Sequence, residues 1–387
     1  MNIKPLKIAF IVDRFGQRYG GAEAYGVALM RELSRDHKIT VFAREYDDEC
    51  GLELEFIPLK NVRWWPGWYR VVRNAFYAAK LTRDGFDIIH SHNNGWAGHI
   101  EVIHVVPVRY KWRIVKRPTW KHWLDYISPR VIAYLWLERK RVKNKKGRYV
   151  VAVSKLIQDQ LEQSYTLNQR PTIIPPGVYL PSYKGTRKWH DKRNLRRQDL
   201  GFNSTDFVVI MVARNPLRKG LEVAMQAFSS LPSHFNLLVV GCDSETKLRL
   251  LEMPLFKSLR NRITLEGVTS DVASFYICAD ACIHPTKNDS FGMAPLEAMS
   301  YGLPVVISPS PWCGFAAQLN HKKNAWILKN PNDAEGVVEA LTSMHSNPEL
   351  YKQLAENGMY VAREHDWSRI AMQYYQLYQS SISQRMA

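Results

Sequence analysis

The chain has 387 residues, 46% of them hydrophobic and 23% charged, which suits two domains with buried cores and argues against a disordered chain. Its five cysteines (Cys50, Cys242, Cys278, Cys282 and Cys313) form neither a Cys-x-x-Cys pair nor a Cys/His cluster with zinc spacing, so they read as free thiols in a reducing compartment. The net charge of +17 is uneven: residues 61–150 hold 19 Lys and Arg against 5 Asp and Glu, with 8 of the 12 tryptophans, a bias that implies an anionic partner such as membrane lipid, nucleic acid or an acidic substrate.

The first apolar stretch, residues 6–12, ends in Asp13-Arg14 and is too short for a signal-peptide core or a membrane span. No apolar run of about 18 residues follows it, so the expected location is cytoplasmic. Residues 6–12 predict a buried strand, being continuously apolar and β-branched. Ala24, Val27, Ala28 and Leu33 give helical spacing to 23–33. Strands are expected at 39–43, 54–59, 86–91, 102–106 and 149–153. Short strands alternating with helical stretches predict a parallel sheet covered by helices.

Residues 183–204 break the rhythm. They are polar and rich in Lys and Arg, follow the turn Pro175-Pro176-Gly177, and read as the crossing between domains, with a short helix at 194–200. The alternation then restarts, with strands at 207–212, 236–241, 263–267, 282–284 and 305–307 and helices at 220–231 and 294–301. Beyond Ile327 the pattern is helical, over 334–344, 349–363 and 367–380. The expected organisation is a first domain at 1–185, a second at 186–365, and a C-terminal helix at 366–387 packing back toward the first.

Chemistry concentrates in three places. The string Asp289-Ser290-Phe291-Gly292-Met293-Ala294-Pro295-Leu296-Glu297 sets two acids eight positions apart, the second on a helix that stops at Gly302-Leu303-Pro304. A loop of this kind offers backbone N–H groups and a helix N-terminus, worth roughly half a positive charge, to a phosphate. Gly292 allows close backbone approach, and Glu297 can accept from two ribose hydroxyls. Arg214 and Lys219, between a strand and a helix, can clamp a diphosphate with one fork-shaped and one point-like cation. Gly20-Gly21, after the first strand, exposes backbone N–H groups to a ligand, whereas Glu23 reads as a helix start.

Histidines His90, His92, His99 and His104 also cluster. His90 and His92 share a strand face, which raises a metal site, but no carboxylate at matching spacing completes one. No Asp-x-Asp stands at a strand end, and Asp47-Asp48-Glu49 reads as an exposed loop, so neither a bound metal nor another cofactor is expected.

The acid-x7-acid segment, the Arg214/Lys219 turn, the Gly-Gly loop and Ile174-Pro175-Pro176-Gly177-Val178 together resemble family 4 glycosyltransferases, of the lipopolysaccharide-core type. That family usually has Glu where this chain has Asp289, and Asn-Gly where it has Pro176-Gly177. The resemblance implies the GT-B fold: α/β, two Rossmann-like parallel-sheet domains facing a central cleft. It implies transfer of a hexose, with retention, from a nucleoside diphosphate sugar, UDP-linked by preference. Asp289, Arg214, Lys219 and His104 would act in catalysis, His104 by contacting the donor sugar. Gly20, Gly21, Phe291, Gly292, Met293, Ala294 and Glu297 would bind the donor, and Asp243, Val268 and Thr269 would lie near the base.

The acceptor is expected at the basic first domain. Residues 63–73, 110–123 and 139–148 mix Trp and Tyr with Lys and Arg, a composition suited to the headgroup level of an anionic bilayer. The expected partner is therefore a membrane-associated glycolipid at the inner face of the cell membrane. Three rivals remain at this stage, one of them an inactive member of the fold serving as a partner subunit, which the Asp289 departure keeps open. A nucleotide-sugar epimerase of the same fold would need further acid–base groups. A basic nucleic-acid-binding protein would need a binding module, and none is recognisable.

Overall fold

The computed structural model describes residues 4–60, 64–115 and 125–387. The chain divides into two compact units, one formed by Met1–Gly177 with Trp367–Ala387 and the other by Val178–Asp366. Each has its own parallel sheet.

In the first unit, β1 (Lys7–Ile11) leads through the two-residue β2 (Arg14–Phe15) to α1 (Gly21–Leu33), β3 (Lys38–Ala43), the short β4 (Glu45–Tyr46) and β5 (Glu55–Pro58). Then come α2 (Gly67–Leu81), β6 (Ile88–Ser91), β7 (Ile100–Ile103), α3 (Pro129–Arg141), β8 (Tyr149–Ala152), α4 (Lys155–Ser164) and β9 (Thr172–Ile173). The seven-stranded sheet runs β5-β3-β1-β6-β7-β8-β9 and is parallel throughout; β2 and β4 pair separately. The central strands are buried along almost their whole length, as strands covered on both faces are, with β1 apolar from Ile8 to Ile11 and the polar Glu101, His90 and Ser91 buried within β7 and β6. The predicted strand at 102–106 ends at Ile103. Pro107 follows closely, and His104 therefore stands just past the strand's carboxyl end.

The second unit begins with α5 (Arg187–Asp199), much longer than the helix expected at 194–200. It continues with β10 (Phe207–Val212), α6 (Leu221–Ser230), β11 (Phe235–Val240), α7 (Ser244–Glu252), α8 (Pro254–Ser258), β12 (Ile263–Glu266), α9 (Val272–Cys278), β13 (Ala281–His284), α10 (Met293–Ser300), β14 (Val305–Ile307), β15 (Trp326–Ile327), α11 (Ala334–Ser346) and α12 (Pro348–Glu364). Its sheet runs β12-β11-β10-β13-β14-β15, again all parallel. Arg193 and Arg197 of α5 both grip Asp280 ahead of β13, which ties the charged helix to the sheet. The dividing point falls at Gly177/Val178 rather than at 185/186. Val178 donates its N–H to His365 O and bridges to Asp366, so residues 178–185 already belong to the second unit.

The last helix, α13 (Trp367–Met386), belongs to the first unit. It is anchored by polar contacts inside an apolar core: Tyr374 and Tyr25 share a hydroxyl–hydroxyl hydrogen bond of 2.6 Å, and Tyr378 Oη meets His90 Nδ1 at 2.5 Å. Beside them, the fully buried Glu101 accepts from Arg148 at 2.9 Å and Arg141 at 3.3 Å, which holds β7 against the end of α3.

Burial, with some help from His104, pushes the His90 imidazole down to about 3, far below its ordinary value of 6.5. Between those values the unfolded chain takes up the proton and the folded chain does not. Stability is thus complete above about pH 6.5 and is lost as the pH falls toward 3, by about 1.4 kcal/mol per pH unit. Thermal melts between pH 7.5 and 4.5 are expected to show this fall, and a His90→Gln variant a shallower one. An identical slope in the two proteins would mean that His90 is not held neutral by the fold.

Candidate active site

In the second sheet the strand order reverses between β10 and β13: the chain goes to β11 and β12 on one side, and to β14 and β15 on the other. At such a reversal the two following loops diverge and leave room for a ligand at the carboxyl ends of the strands. Arg214 and Lys219 lie in the loop after β10, and Asp289 in the loop after β13.

These two loops touch because residue 220 has no side chain. Gly220 has φ +94°, and a Cβ there would come within 2.0 Å of Pro285 O. The approach brings Lys219 Nζ to 2.5 Å from Asp289 Oδ2. His284, the last residue of β13, reaches the same oxygen with Nε2 at 2.9 Å. Burial would raise the Asp289 carboxyl, but the His284 hydrogen bond and the Lys219 charge outweigh it and hold the group below the ordinary carboxylate range. Asp289 is thus ionised throughout the physiological range. Its loop is clamped from the far side: Asp289 N donates to Trp312 O, Gly314 N to Asp289 O, and Phe291 O accepts from Phe315 N.

Gly292, at φ +116°, caps α10. A side chain there would meet Cys313 Sγ at 2.8 Å. The first turn therefore presents the N–H groups of Met293 and Ala294 without a side-chain cap, while Pro295 has none to offer. Phe291 is buried beneath this turn against Phe315. Glu297, one turn further on, does not pair with Asp289. Its Oε2 accepts from Tyr276 at 2.8 Å, and burial raises its carboxyl pKa against that bond. Arg214 is exposed on the same loop as Lys219. Asp243 accepts from Thr246 N at 2.7 Å and so caps α7, while Val268 is exposed.

The first sheet has a matching reversal, between β1 and β6. Gly20 and Gly21 sit in the loop after β1 where α1 starts, and a Cβ at Gly21 would meet nothing within 4 Å. Arg14 and Arg18 stack on Tyr19 next to them, at 4.8 and 5.1 Å from the ring centre. His104 packs its ring on His92 at 4.4 Å and on Tyr25 at 4.9 Å, and His90 Nε2 meets His92 Nε2 at 3.0 Å. Burial, with the nearby Arg141 charge, pushes His104 down to about 3, so it is a neutral ring whose Nε2 has no hydrogen-bond partner among the described residues. Among those residues no group of three or more His, Cys, Asp or Glu is placed to hold a metal ion, and all five cysteines are buried free thiols.

Two partners were not singled out from sequence. His284 is separated from Asp289 by five positions and could have been noticed as a polar end to an apolar strand. Tyr276, on α9, gave no signal, because its tie to Glu297 exists only in three dimensions.

The family model described as "Glycosyl transferases group 1" matches residues 192–360, and that of "Glycosyltransferase Family 4" matches residues 19–180. The second reversal and the residues named at it fall inside the first span, and Tyr19, Gly20, Gly21, Tyr25, His90, His92 and His104 inside the second. The chain is a GT-B glycosyltransferase. The lipopolysaccharide glucosyltransferase WaaG of Escherichia coli (strain K12) is 25% identical to it over 344 residues, 86% of this chain and 88% of that protein. The crystal structure of WaaG, a glycosyltransferase involved in lipopolysaccharide biosynthesis, shares the fold with a TM-score of 0.80 at 22% identity, over 96% of this chain and 99% of that one. Anabaena HepE in complex with UDP-glucose gives a TM-score of 0.74 at 18% identity, over 97% and 100%.

In this glycosyltransferase the Gly220 contact sets the distance between the two loops. A Gly220→Ala substitution forces a Cβ into Pro285 O at an unfavourable φ, and should cost about 1–3 kcal/mol while moving Lys219 off Asp289. Thermal melting and nucleotide titration check this. A Gly220→Ala protein with the parental melting temperature and nucleotide affinity would show that the contact is dispensable.

Proposed function

We propose that this glycosyltransferase moves a hexose, with retention of configuration, from a nucleoside diphosphate sugar to a lipopolysaccharide-core type glycolipid held at the inner face of the cell membrane. UDP is the preferred nucleotide. The observation that carries the donor half is the Lys219–Asp289 pair beside the open first turn of α10. The lipopolysaccharide relative and the UDP-glucose-bound neighbour support the choice of substrates, and nothing in either likeness favours an epimerase or a nucleic-acid-binding protein.

As the bond from sugar to phosphate breaks, negative charge grows on the departing diphosphate. Preorganised cations and N–H dipoles aimed at that charge usually supply the largest part of catalysis. Lys219 and Arg214 would provide the cations, and the N–H groups of Met293 and Ala294 the dipoles, so the proposed reaction runs without a bound metal. Asp289, ionised, would accept from hydroxyls of the transferred sugar. Glu297 would accept from the ribose, its carboxylate oriented by Tyr276. In the first unit Gly20 and Gly21 would offer backbone N–H groups to the diphosphate, and the neutral His104 would offer its unpartnered Nε2 to the sugar.

The acceptor half rests on the surface of the first unit. Trp64 is 97% exposed, and Trp65, Tyr69 and Phe76 extend the apolar face of α2 among Arg70 and Arg73. Tyr126, Ile127, Ile132 and Trp136 are exposed on and before α3, and Lys140 stacks over Trp96 and Trp136. Arg63, Trp120 and Trp123, also expected in this surface, lie outside the described residues. Among the described residues no helix is long and apolar enough to cross a membrane. Aromatic side chains interleaved with cations suit the headgroup region of an anionic bilayer.

The donor is tested with a panel of UDP-, GDP- and ADP-hexoses, following melting temperature and nucleotide release. One donor is expected to stabilise the protein by about 2.7 kcal/mol at a hundredfold excess over its Kd. Lys219→Ala and Glu297→Ala should lose that gain. No response to any donor would overturn the reading.

The membrane is tested by flotation with vesicles rich in phosphatidylglycerol. Binding is expected at low salt, to weaken as salt is raised, and to fall roughly tenfold when Trp64 and Trp65 are both changed to Ser, a loss of about 1.4 kcal/mol. A wild-type protein that stays in the bottom fraction at low salt would sink the membrane contact.

A further inference from the structure

Both strong partners of Asp289 meet a single oxygen. Oδ2 takes Lys219 Nζ at 2.5 Å and His284 Nε2 at 2.9 Å, whereas Oδ1 has only a long backbone contact, from Phe291 N at 3.4 Å. The two partners differ in kind. The Lys219 side chain is 24% exposed, on a four-carbon stem in a loop. The His284 side chain is 2% exposed and stands on a strand, in register with Ile307 of β14, with its carbonyl accepting from Thr286 N and Ser308 N. One partner can leave and the other cannot.

We propose that His284 is a positioning residue, which keeps the Asp289 carboxylate in place when an arriving diphosphate draws Lys219 away, so that Oδ1 stays presented to the transferred sugar. The inference rests on the donor-site reading above and adds to it a residue that does not itself touch the donor. A diphosphate carries more charge than one carboxylate, so the mobile ammonium moves toward it. Asp289 then needs a partner that does not follow the ligand.

The groups facing Asp289 from the elements packed around it are Lys219 from the loop after β10, His284 from β13, and the Cys313 thiol from the loop after β14, which burial keeps protonated. His284 is the hydrogen-bond donor that stays. A carboxylate only accepts, so His284 carries its proton on Nε2, and its Nδ1 has no partner among the described residues. Burial also lowers the His284 pKa, which favours the neutral ring. A neutral donor orients the carboxylate without adding a second cation to compete with the diphosphate for Lys219. The short reach of Asp289, one methylene less than Glu, makes a fixed carboxylate more important, because a lateral slip cannot be recovered by a longer side chain.

The test is a kinetic comparison of wild type, H284F and H284Q across pH 4.5–8, with UDP-, GDP- and ADP-hexoses as donors and the matching diphosphates as binding probes. In H284F, kcat is expected to fall roughly 10- to 100-fold, the effect of misplacing a reacting group by about an ångström, while the Kd for the diphosphate changes by less than about threefold. An acid limb of kcat, below this range in the wild type, should rise toward or into it, since the buried carboxylate has lost a hydrogen bond that favours its charged form. H284Q, whose amide can reach the same oxygen, should recover part of kcat and return the limb toward wild type. If H284F does not fold, H284N takes its place, its amide being too short to reach Oδ2. Wild-type kcat and an unshifted acid limb in H284F or H284N would overturn the inference alone. So would equal impairment of H284Q and H284F with the limb unmoved, the mark of simple packing. A wild-type protein that binds no diphosphate and releases nucleotide from no donor would overturn the donor-site reading, and this inference with it.

Discussion

In a parallel sheet, chain order can reverse only where two neighbouring strands send their following segments to opposite sides, and each sheet of this protein contains one such reversal. The chemistry-bearing residues collect there. In the second unit the reversal sets Lys219 opposite Asp289 although 70 positions separate them. In the first it sets the Gly20-Gly21 loop and the His90–His92 pair at the ends of β1 and β6. Neither arrangement depends on local sequence beyond the strand ends. What local sequence adds is clearance, as at Gly220, where the loops close only because a Cβ is absent.

Burial does opposite things to the two acids of the donor loop. At Asp289 it is outweighed by a cation and a histidine, and the group stays ionised. At Glu297 the counterweight is a single neutral phenol, and the carboxyl pKa rises. The two carboxyls are thus tuned apart by their partners rather than by their own depth, as expected when desolvation and specific interactions compete. An ionised Asp289 suits contact with sugar hydroxyls near developing positive charge, and a more weakly acidic Glu297 suits the less demanding hold on a ribose. The histidines of the first unit follow the same rule without a counterweight. His90, His92 and His104 lie near one another, the last two also near Arg141, and with no acid among the described residues offsetting burial they are all driven neutral. A neutral imidazole can meet an electron-poor sugar without repelling it.

The parallel strands were legible because burial on both faces demands unbroken apolar runs, as in 207–212. The helix after Gly292 was legible because glycine and proline mark its ends. Between 61 and 148 the two strands were legible but helices α2 and α3 were not, for a physical reason. On α2 the buried residues are Asn74, Ala75 and Ala78 while Phe76 is exposed, and on α3 Glu138 and Arg141 are buried while Ile132 and Trp136 are exposed, so large apolar side chains do not mark the inward face. The two-residue strands β9 and β15 carry too little pattern to be seen. His284 was passed over because its role depends on a neighbour reached by the fold of a loop and not by strand periodicity.

That opacity is itself informative. The exposed aromatics gather mainly in the first unit, on and around α2 and α3. The second unit has its own basic helix, α5, but Arg193 and Arg197 of that helix are committed to Asp280, and Trp189 is buried. Its charge is largely absorbed by the fold. On α2, Arg70 and Arg73 stand among exposed aromatics, and Lys140 of α3 is stacked on Trp96 and Trp136 rather than paired with an acid. Cations left over aromatic faces are attracted without being neutralised, so the surface keeps its positive field. The same unit carries the Gly20-Gly21 loop and His104. The exposed aromatic and basic surface on and before α2 and α3 and the strand reversal that carries His104 therefore belong to one unit, the arrangement needed if, as proposed, the acceptor arrives by way of the membrane.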